Sequence, residues 1–136
     1  MNSCTHLFIH FVWATWNREP LIDLAWQSAL YACLAETCRA RGGQPLEIGG
    51  VADHVHLLAR VPATIAVAQL AHDLKGASSH LIRHRVAPET DFRWQGAYGA
   101  FSVSPEGIDV VRAYIQNQLA HHAQNTLNEQ WERCVE

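Results

Sequence analysis

An α+β fold with an antiparallel sheet is predicted by three features of the sequence. Runs of alternating apolar and β-branched residues indicate strands, and amphipathic runs with three- and four-residue spacing indicate helices. The two kinds of run follow one another in the order β-α-β-β-α-β-α. A chain of 136 residues, 49% of them hydrophobic, has the size of one domain with its own core, so we expect a single domain over 1–136.

The first half of the chain predicts a strand, a helix and a hairpin. Aromatic and β-branched residues alternate over 5–15, as in a strand. Residues 21–43 have helical spacing and end at a double glycine. Residues 44–53 and 54–62 follow as two closely joined strands, and a proline ends the second.

The second half predicts a helix, a strand and a further helix. The helix covers 63–86 with Thr64 as its N-cap. Gly76 inside it either weakens the helix or marks a close approach by another group. Residues 91–104 then form the fourth strand.

The third helix is expected over 105–127, and the polar tail 128–136 adds another helical turn or two. The complete order is that of a ferredoxin-like (RRM-like) split β-α-β sheet followed by one more helix. In that fold two helices cover one face of the sheet. The additional helix is therefore available for the other face.

Composition and charge narrow the function classes, and the negative net charge counts against a nucleic-acid-binding protein without excluding one. The net charge of −3 gives no global electrostatic signature of a nucleic-acid-binding protein. The chain has neither an 18-residue apolar run nor a secretory signal, which predicts no membrane span and a cytoplasmic location. The four cysteines lack zinc-knuckle spacing and are expected to be free thiols: Cys4, Cys33, Cys38 and Cys134.

The predicted third strand contains two histidines, His54 and His56, preceded by Asp53. Residues i and i+2 of a strand point to one face, so both imidazoles can reach one ion. Two histidines leave coordination positions open, as a catalytic metal requires. The alternative is a pair of histidines satisfied by water or backbone. The opposite side of the strand is wholly apolar and predicts the core face: Val55, Leu57, Ala59 and Val61.

A further histidine lies on the first strand. His6 and His10 are four residues apart and share a face. The first strand neighbours the third in a split β-α-β sheet, so His10 can approach His54 or His56. The sequence leaves open whether His10 joins the site or supports it from behind.

Tyr114 and Gln118 lie four residues apart on the third helix and therefore on one face. Tyr114 is either packed at the edge of the core or is a nucleophile. A phenol with its ordinary pKa near 10 attacks poorly unless a metal polarises its target. Tyr98 is the rival nucleophile, whereas Tyr31 lies among apolar helix residues and is expected to pack.

The segment DHVHLL, followed about 60 residues later by YIQNQ, resembles the single-tyrosine HUH transposases of the insertion-sequence 200/605 type. This family includes the transposases associated with repetitive extragenic palindromic (REP) elements. The segments HFVWATWNREPLI, LKGASSHLI and FRWQGAYGAFSVS are similar to other parts of the family, so that the resemblance covers most of the chain.

The resemblance implies a mechanism for nicking and rejoining single-stranded DNA hairpins. His54, His56 and Gln118 would bind a divalent cation, Mg²⁺ or Mn²⁺. Tyr114 would attack the scissile phosphate and form a 5′-phosphotyrosine link. The family also implies a bacterial or archaeal homodimer in which the tyrosine helix can act in trans.

Candidate DNA contacts are basic and aromatic side chains on the predicted third and fourth strands and on the second helix. These residues are Arg60, Lys75, Arg83, Arg85, Trp94 and Tyr98. Their alternatives are a solvated helix face and ordinary sheet packing. The chain departs from the family in its negative net charge and in Trp16, where a basic residue is expected.

Two other functions fit parts of the pattern. A metal-dependent phosphoesterase would use the histidines to activate water, but a histidine-triad hydrolase is disfavoured by Leu58 at the third alternating position. A non-catalytic single-strand-binding module would have the same fold, although the stacking motif of RNA-recognition domains is missing.

Overall fold

The computed structural model describes residues 3–118, 128 and 131–132, and it confirms the α+β class. The strands of these residues are β1 (Phe8–Ala14), β2 (Gln44–Val51), β3 (His54–Arg60) and β4 (Gly99–Val103). They form one antiparallel sheet in the order β2-β3-β1-β4. The helices are α1 (Gln27–Ala40), α2 (Val67–Leu81) and α3 (Ile108–Gln116). This is the predicted split β-α-β topology with an additional helix.

The main core lies between one face of the sheet and the two helices α1 and α2. Phe11 and Trp13 of β1 pack there with Leu57 of β3, against Leu34 of α1 and Leu74 of α2. The four residues of the predicted core side are all buried in this cluster: Val55, Leu57, Ala59 and Val61.

Helix α3 covers the opposite face of the sheet, as expected. Val111 and Ile115 pack on Leu58, which lies on the same side of β3 as the two histidines. A β-carbon at Gly49 would come within 2.5 Å of the Ile115 carbonyl oxygen. The absence of a side chain at Gly49 therefore allows α3 to lie directly on the backbone of β2.

Helix α2 begins later and ends earlier than predicted. Its first backbone bond runs from Leu70 N to Ala66 O, so Ala66, not Thr64, occupies the N-cap position. The helix widens into a π-turn over Ile82–Val86. A β-carbon on Gly76 would meet no atom within 4 Å, so no described group approaches it closely.

The predicted fourth strand is wrong in its first half. Before β4, the segment pairs with the sheet only at an isolated bridge between Thr15 and Trp94. Lys75 Nζ donates to Gln95 O (2.5 Å) and Ala97 O (3.3 Å). These bonds hold the segment against α2, away from a strand path.

The third helix is also shorter than predicted. Asn128 N lies 3.0 Å from Tyr114 Oη. A continuous helix over 105–127 would separate these two residues by about 21 Å, at 1.5 Å of rise per residue. The prediction of one uninterrupted helix is therefore wrong, and residues 119–127 lie outside the described part of the chain.

Within the described residues, no helix has both the length and the apolar character needed to cross a membrane. The described cysteines are free thiols, namely Cys4, Cys33 and Cys38, whereas Cys134 lies outside these residues.

Candidate metal and nucleophile site

The two histidines of β3 point away from the core and are fully buried beneath α3. His54 lies opposite Ala14 of β1, and His56 lies opposite Val12. The centroids of their rings are 5.0 Å apart. The alternating pattern therefore placed both imidazoles correctly, on a face that α3 shields from solvent.

Gln118 reaches this pair from two residues beyond the end of α3, on the same side as Tyr114, as its spacing from Tyr114 suggested. Its Oε1 lies 3.1 Å from His54 Nε2, and its side chain is buried. Its Nε2 contacts the Tyr114 backbone carbonyl one turn earlier, at 3.3 Å.

Glu132 completes the group, and sequence reasoning missed it. Its Oε2 lies 3.2 Å from His54 Nε2, and its Oε1 lies 3.3 Å from His56 Nε2. No local signal could have identified this glutamate, because its segment has no motif and its partners are far away in sequence. Only the tertiary structure places Glu132 beside the two histidines and Tyr114.

The Tyr114 hydroxyl lies beside the same carboxylate. It donates to Glu132 Oε1 at 2.8 Å and accepts a bond from Asn128 N. The side chain is 8% exposed, and burial raises the pKa of Tyr114 to about 12. Tyr98 lies elsewhere, beside α2, and Tyr31 packs against the main core as expected.

The second ring nitrogen of each histidine has a different partner. His54 Nδ1 lies 2.7 Å from Asp53 Oδ1, and Arg18 lies beside both residues. His56 Nδ1 lies 2.9 Å from His10 Nε2. His10 therefore contacts the Nδ1 side of His56 and is not one of the three residues whose ligand atoms could share a metal ion, which are His54, His56 and Glu132.

The stacked imidazole rings of His10 and His56 are both neutral at ordinary pH. Burial, together with the neighbouring His56, lowers the pKa of His10 to about 3. Burial also lowers the pKa of His56, although the Glu132 carboxylate opposes this effect. Each ring therefore has one N–H group and one lone pair.

The donor set fits a divalent cation. Ligand atoms of His54, His56 and Glu132 all lie within 4.8 Å of one another. His56 Nε2 and Glu132 Oε2 are buried without a hydrogen bond to any described residue. Burial alone would raise the pKa of Glu132, but the contacts with His56 and His54 lower it to about 2. A buried ionised carboxylate facing two imidazoles can bind a metal.

Four of the six candidate DNA contacts line one cleft between α2 and residues 92–98. The cleft has a volume of about 530 Å³. Its candidate contacts are Lys75, Arg83, Trp94 and Tyr98. His72 and Arg93 add further basic groups, and no aspartate or glutamate lies among the described residues that line it.

The other two candidate contacts lie outside this cleft. Arg60 donates to Thr5 O at 2.8 Å, near Gly42 and Pro62. Arg85 is exposed in the π-turn after α2. Trp16 stacks under the Arg93 guanidinium, whose carbon lies 4.7 Å from the ring centroid.

The family of this protein is shown by a family model that matches most of the chain. The model of the IS200-like transposases matches residues 3–118. The chain belongs to the IS200-like transposase family. A comparison with curated proteins gives no significant match.

Two solved structures are similar to this transposase. A candidate transposase from Deinococcus radiodurans R1 is 24% identical, with a TM-score of 0.68 over 87% of this chain and 95% of that one. A REP-associated tyrosine transposase bound to a REP hairpin is 13% identical, with a TM-score of 0.67 over 90% of this chain and 73% of that one. At these identities, the structures support the fold.

Proposed function

We propose that this transposase nicks and rejoins single-stranded DNA hairpins through a tyrosine nucleophile, Tyr114. One observation carries the proposal. The Tyr114 hydroxyl and the His56 ring nitrogen both contact Glu132 Oε1, at 2.8 and 3.3 Å. A nucleophile thus lies next to a group suited to a divalent cation. We take residues 1–136 as one transposase domain acting in a bacterial or archaeal cytoplasm.

The metal would be held by His54, His56 and Glu132, with the Gln118 carbonyl as a further ligand. Two imidazoles favour Mn²⁺ over Mg²⁺ in affinity, although both are candidates. When bound, the cation polarises the scissile phosphate and stabilises the phenolate form of the nearby tyrosine.

The chemistry of the chain itself is a transesterification. Tyr114 Oη forms a bond to the phosphorus, and the bond between phosphorus and the 3′ oxygen breaks. The phenolic proton passes to Glu132 Oε1, which already accepts it as a hydrogen bond. The departing 3′ oxygen takes up a proton from water and becomes a free hydroxyl, and Glu132 returns the phenolic proton to the solvent, so that one proton is transferred in total. The reverse reaction rejoins the strands without an external energy source, because the phosphotyrosine link conserves the diester bond.

The test is a covalent adduct. The protein is mixed with Mn²⁺ and labelled single-stranded hairpins and is then separated on a denaturing gel. We expect a heat-resistant protein–DNA band that disappears with chelator and in Tyr114→Phe. The matched control is Tyr31→Phe, at a tyrosine that packs against the main core, which should leave the band unchanged. Cleavage without an adduct in the wild type, unaffected by Tyr114→Phe, would support a phosphoesterase that activates water. Binding without cleavage or metal would support a single-strand-binding module.

We further propose that the protein is a homodimer, as the family resemblance implies, in which each tyrosine serves the histidines of its own chain. In the structure, Tyr114 contacts the glutamate beside the histidines of its own chain, which supports attack in cis. A mixture of Tyr114→Phe and His56→Ala variants distinguishes the two arrangements. We expect no adduct from the mixture, whereas a restored adduct would show that the tyrosine acts in trans.

We propose that the cleft between α2 and residues 92–98 contacts the DNA. Basic side chains line it together with Tyr98, which suits a backbone phosphate and an unpaired base. Trp94 also lines the cleft, but its ring is buried in the main core and would have to be uncovered to contact a base. Thr15 connects this region to the histidines, because it pairs with Trp94 and its backbone N–H donates to Asp53 O at 2.9 Å. Arg60 and Arg85 remain proposed contacts outside the cleft.

The cleft is tested by the salt dependence of hairpin binding. Arg83→Gln should weaken binding and reduce the slope of log K against log[salt] by about 0.7–0.9, as for one lost phosphate contact. Arg39→Gln on α1 removes the same charge outside the cleft and should leave the slope unchanged. Equal slopes for the two variants would exclude a specific phosphate contact at Arg83.

A further inference from the structure

The two candidate metal-binding histidines are supported from behind by chemically different groups. Both direct Nε2 towards Glu132. Behind them, His54 Nδ1 faces the Asp53 carboxylate, whereas His56 Nδ1 faces the imidazole of His10. An ionised carboxylate only accepts hydrogen bonds, but a neutral imidazole donates through one nitrogen and accepts through the other.

His10 is well placed to hold the His56 ring. It lies on β1 and reaches His56 diagonally across the β1–β3 ladder, since its direct partner is Leu58. The side chain is fully buried, and its ring centroid lies 4.9 Å from that of Trp131 and 6.1 Å from that of Phe101. Aromatic rings therefore pack against the His10 ring and restrict its movement.

The pair admits two arrangements of protons. In one, His10 Nε2–H donates to His56 Nδ1, and the His56 proton lies on Nε2, facing Glu132. In the other, His56 Nδ1–H donates to His10 Nε2, and His56 Nε2 presents a lone pair. Only the second arrangement can bind a cation through Nε2. It moves the proton of His10 to Nδ1, which is buried without a hydrogen-bond partner among the described residues.

We propose that His10 is a positioning residue that sets the tautomer and orientation of His56, so that metal binding shifts the protons of both rings together. His54 differs, because acceptors face both of its ring nitrogens: the Asp53 carboxylate at Nδ1, and Glu132 Oε2 with Gln118 Oε1 at Nε2. The proposed switch therefore concerns His56, and His10 is the group that permits it. The inference rests on the proposed metal role of His56.

The first test follows the tautomers directly in the full-length protein. The ring nitrogens of ¹⁵N-histidine are observed by NMR with and without Mg²⁺, which is diamagnetic. We expect the His56 proton on Nε2 without metal and on Nδ1 at saturation, with His10 changing from Nε2–H to Nδ1–H. A His56 tautomer that is the same in both states would overturn the inference. This measurement requires no substitution and is independent of DNA cleavage.

The second test measures Mn²⁺ affinity by calorimetry. His10→Leu removes the partner of His56 Nδ1 and should weaken binding by about 10–100-fold, as for other groups that orient a metal-binding histidine. His10→Gln restores a side chain that can donate or accept and should recover most of the affinity. His6→Ala changes an exposed histidine just before β1 and should bind as the wild type does.

The outcomes separate the inference from the proposed function. Wild-type affinity in His10→Leu, or equal losses in His10→Leu and His10→Gln with both variants folded, would overturn the role of His10. In that case, a loss of Mn²⁺ binding in His56→Ala would still support the proposed metal role of His56. Absence of Mn²⁺ binding in the wild type would overturn the metal role itself, and with it the inference.

Discussion

The two faces of the sheet differ although the same strands build both. On the face beneath α1 and α2, the side chains of β1 and β3 are apolar and buried, as Phe11 and Leu57 illustrate. On the face beneath α3, His10, His54 and His56 are equally buried. One face gains stability from removing apolar surface from water, whereas the other retains polar groups that need partners. Along one strand, the side chains that point to α1 and α2 therefore contribute stability, and the alternate side chains that point to α3 form the candidate site.

The largest expected effect on stability comes from the apolar face. Leu57→Ala leaves a cavity beneath α1 and α2 and should lower the free energy of unfolding by about 2–5 kcal/mol. His56→Ala, one residue away on the opposite face, should abolish Mn²⁺ binding and destabilise the metal-free protein less. Urea unfolding and calorimetry on both variants test this difference. A greater loss of stability in His56→Ala would show that the polar face also determines the fold.

A smaller effect is expected where α3 rests on the sheet. Gly49→Ala brings a β-carbon against the Ile115 carbonyl oxygen, so α3 must move. We expect a loss of about 1–3 kcal/mol, with a lower adduct yield because Tyr114 and Gln118 move with the helix. Thermal unfolding and the adduct gel measure these two quantities.

The matched control for Gly49 is Gly76→Ala in α2, where the new methyl group would meet no atom within 4 Å. Alanine is the better helix former, so this variant should be more stable by about 0.4–1 kcal/mol. Destabilisation by both alanines to the same extent would contradict the assigned role of Gly49.

The smallest effect is expected at a polar contact on the apolar face. Trp94 Nε1 donates to Ser78 Oγ at 3.0 Å, and both side chains are buried. Trp94→Phe keeps an aromatic ring but loses this bond, at a cost of about 0.5–1.5 kcal/mol. Urea unfolding of Trp94→Phe, Ser78→Ala and the double variant measures the coupling. Fully additive losses would show that the bond contributes nothing to stability.

The local patterns of the sequence predicted the strand faces well. The alternation in β3 predicted both the apolar core side and the common face of His54 and His56, because a strand has a fixed period of two. The four-residue spacing predicted that Tyr114 and Gln118 would point the same way from α3. The start of α2 at Ala66 and the first half of the fourth strand were less well predicted, because the backbone bonds at Ala66 and the bonds from Lys75 depend on packing between elements.

By itself, the sequence determined the order of the elements, the two faces of β3 and the family to which the chain belongs. The tertiary structure decided which distant groups meet on the polar face. It brought Glu132 between the histidines and Tyr114, and it placed His10 behind His56. The physical reason is that periodicity fixes the direction of a side chain within one element. Contacts between elements depend instead on strand order, on the close approach of α3 at Gly49 and on the return of the chain to that helix.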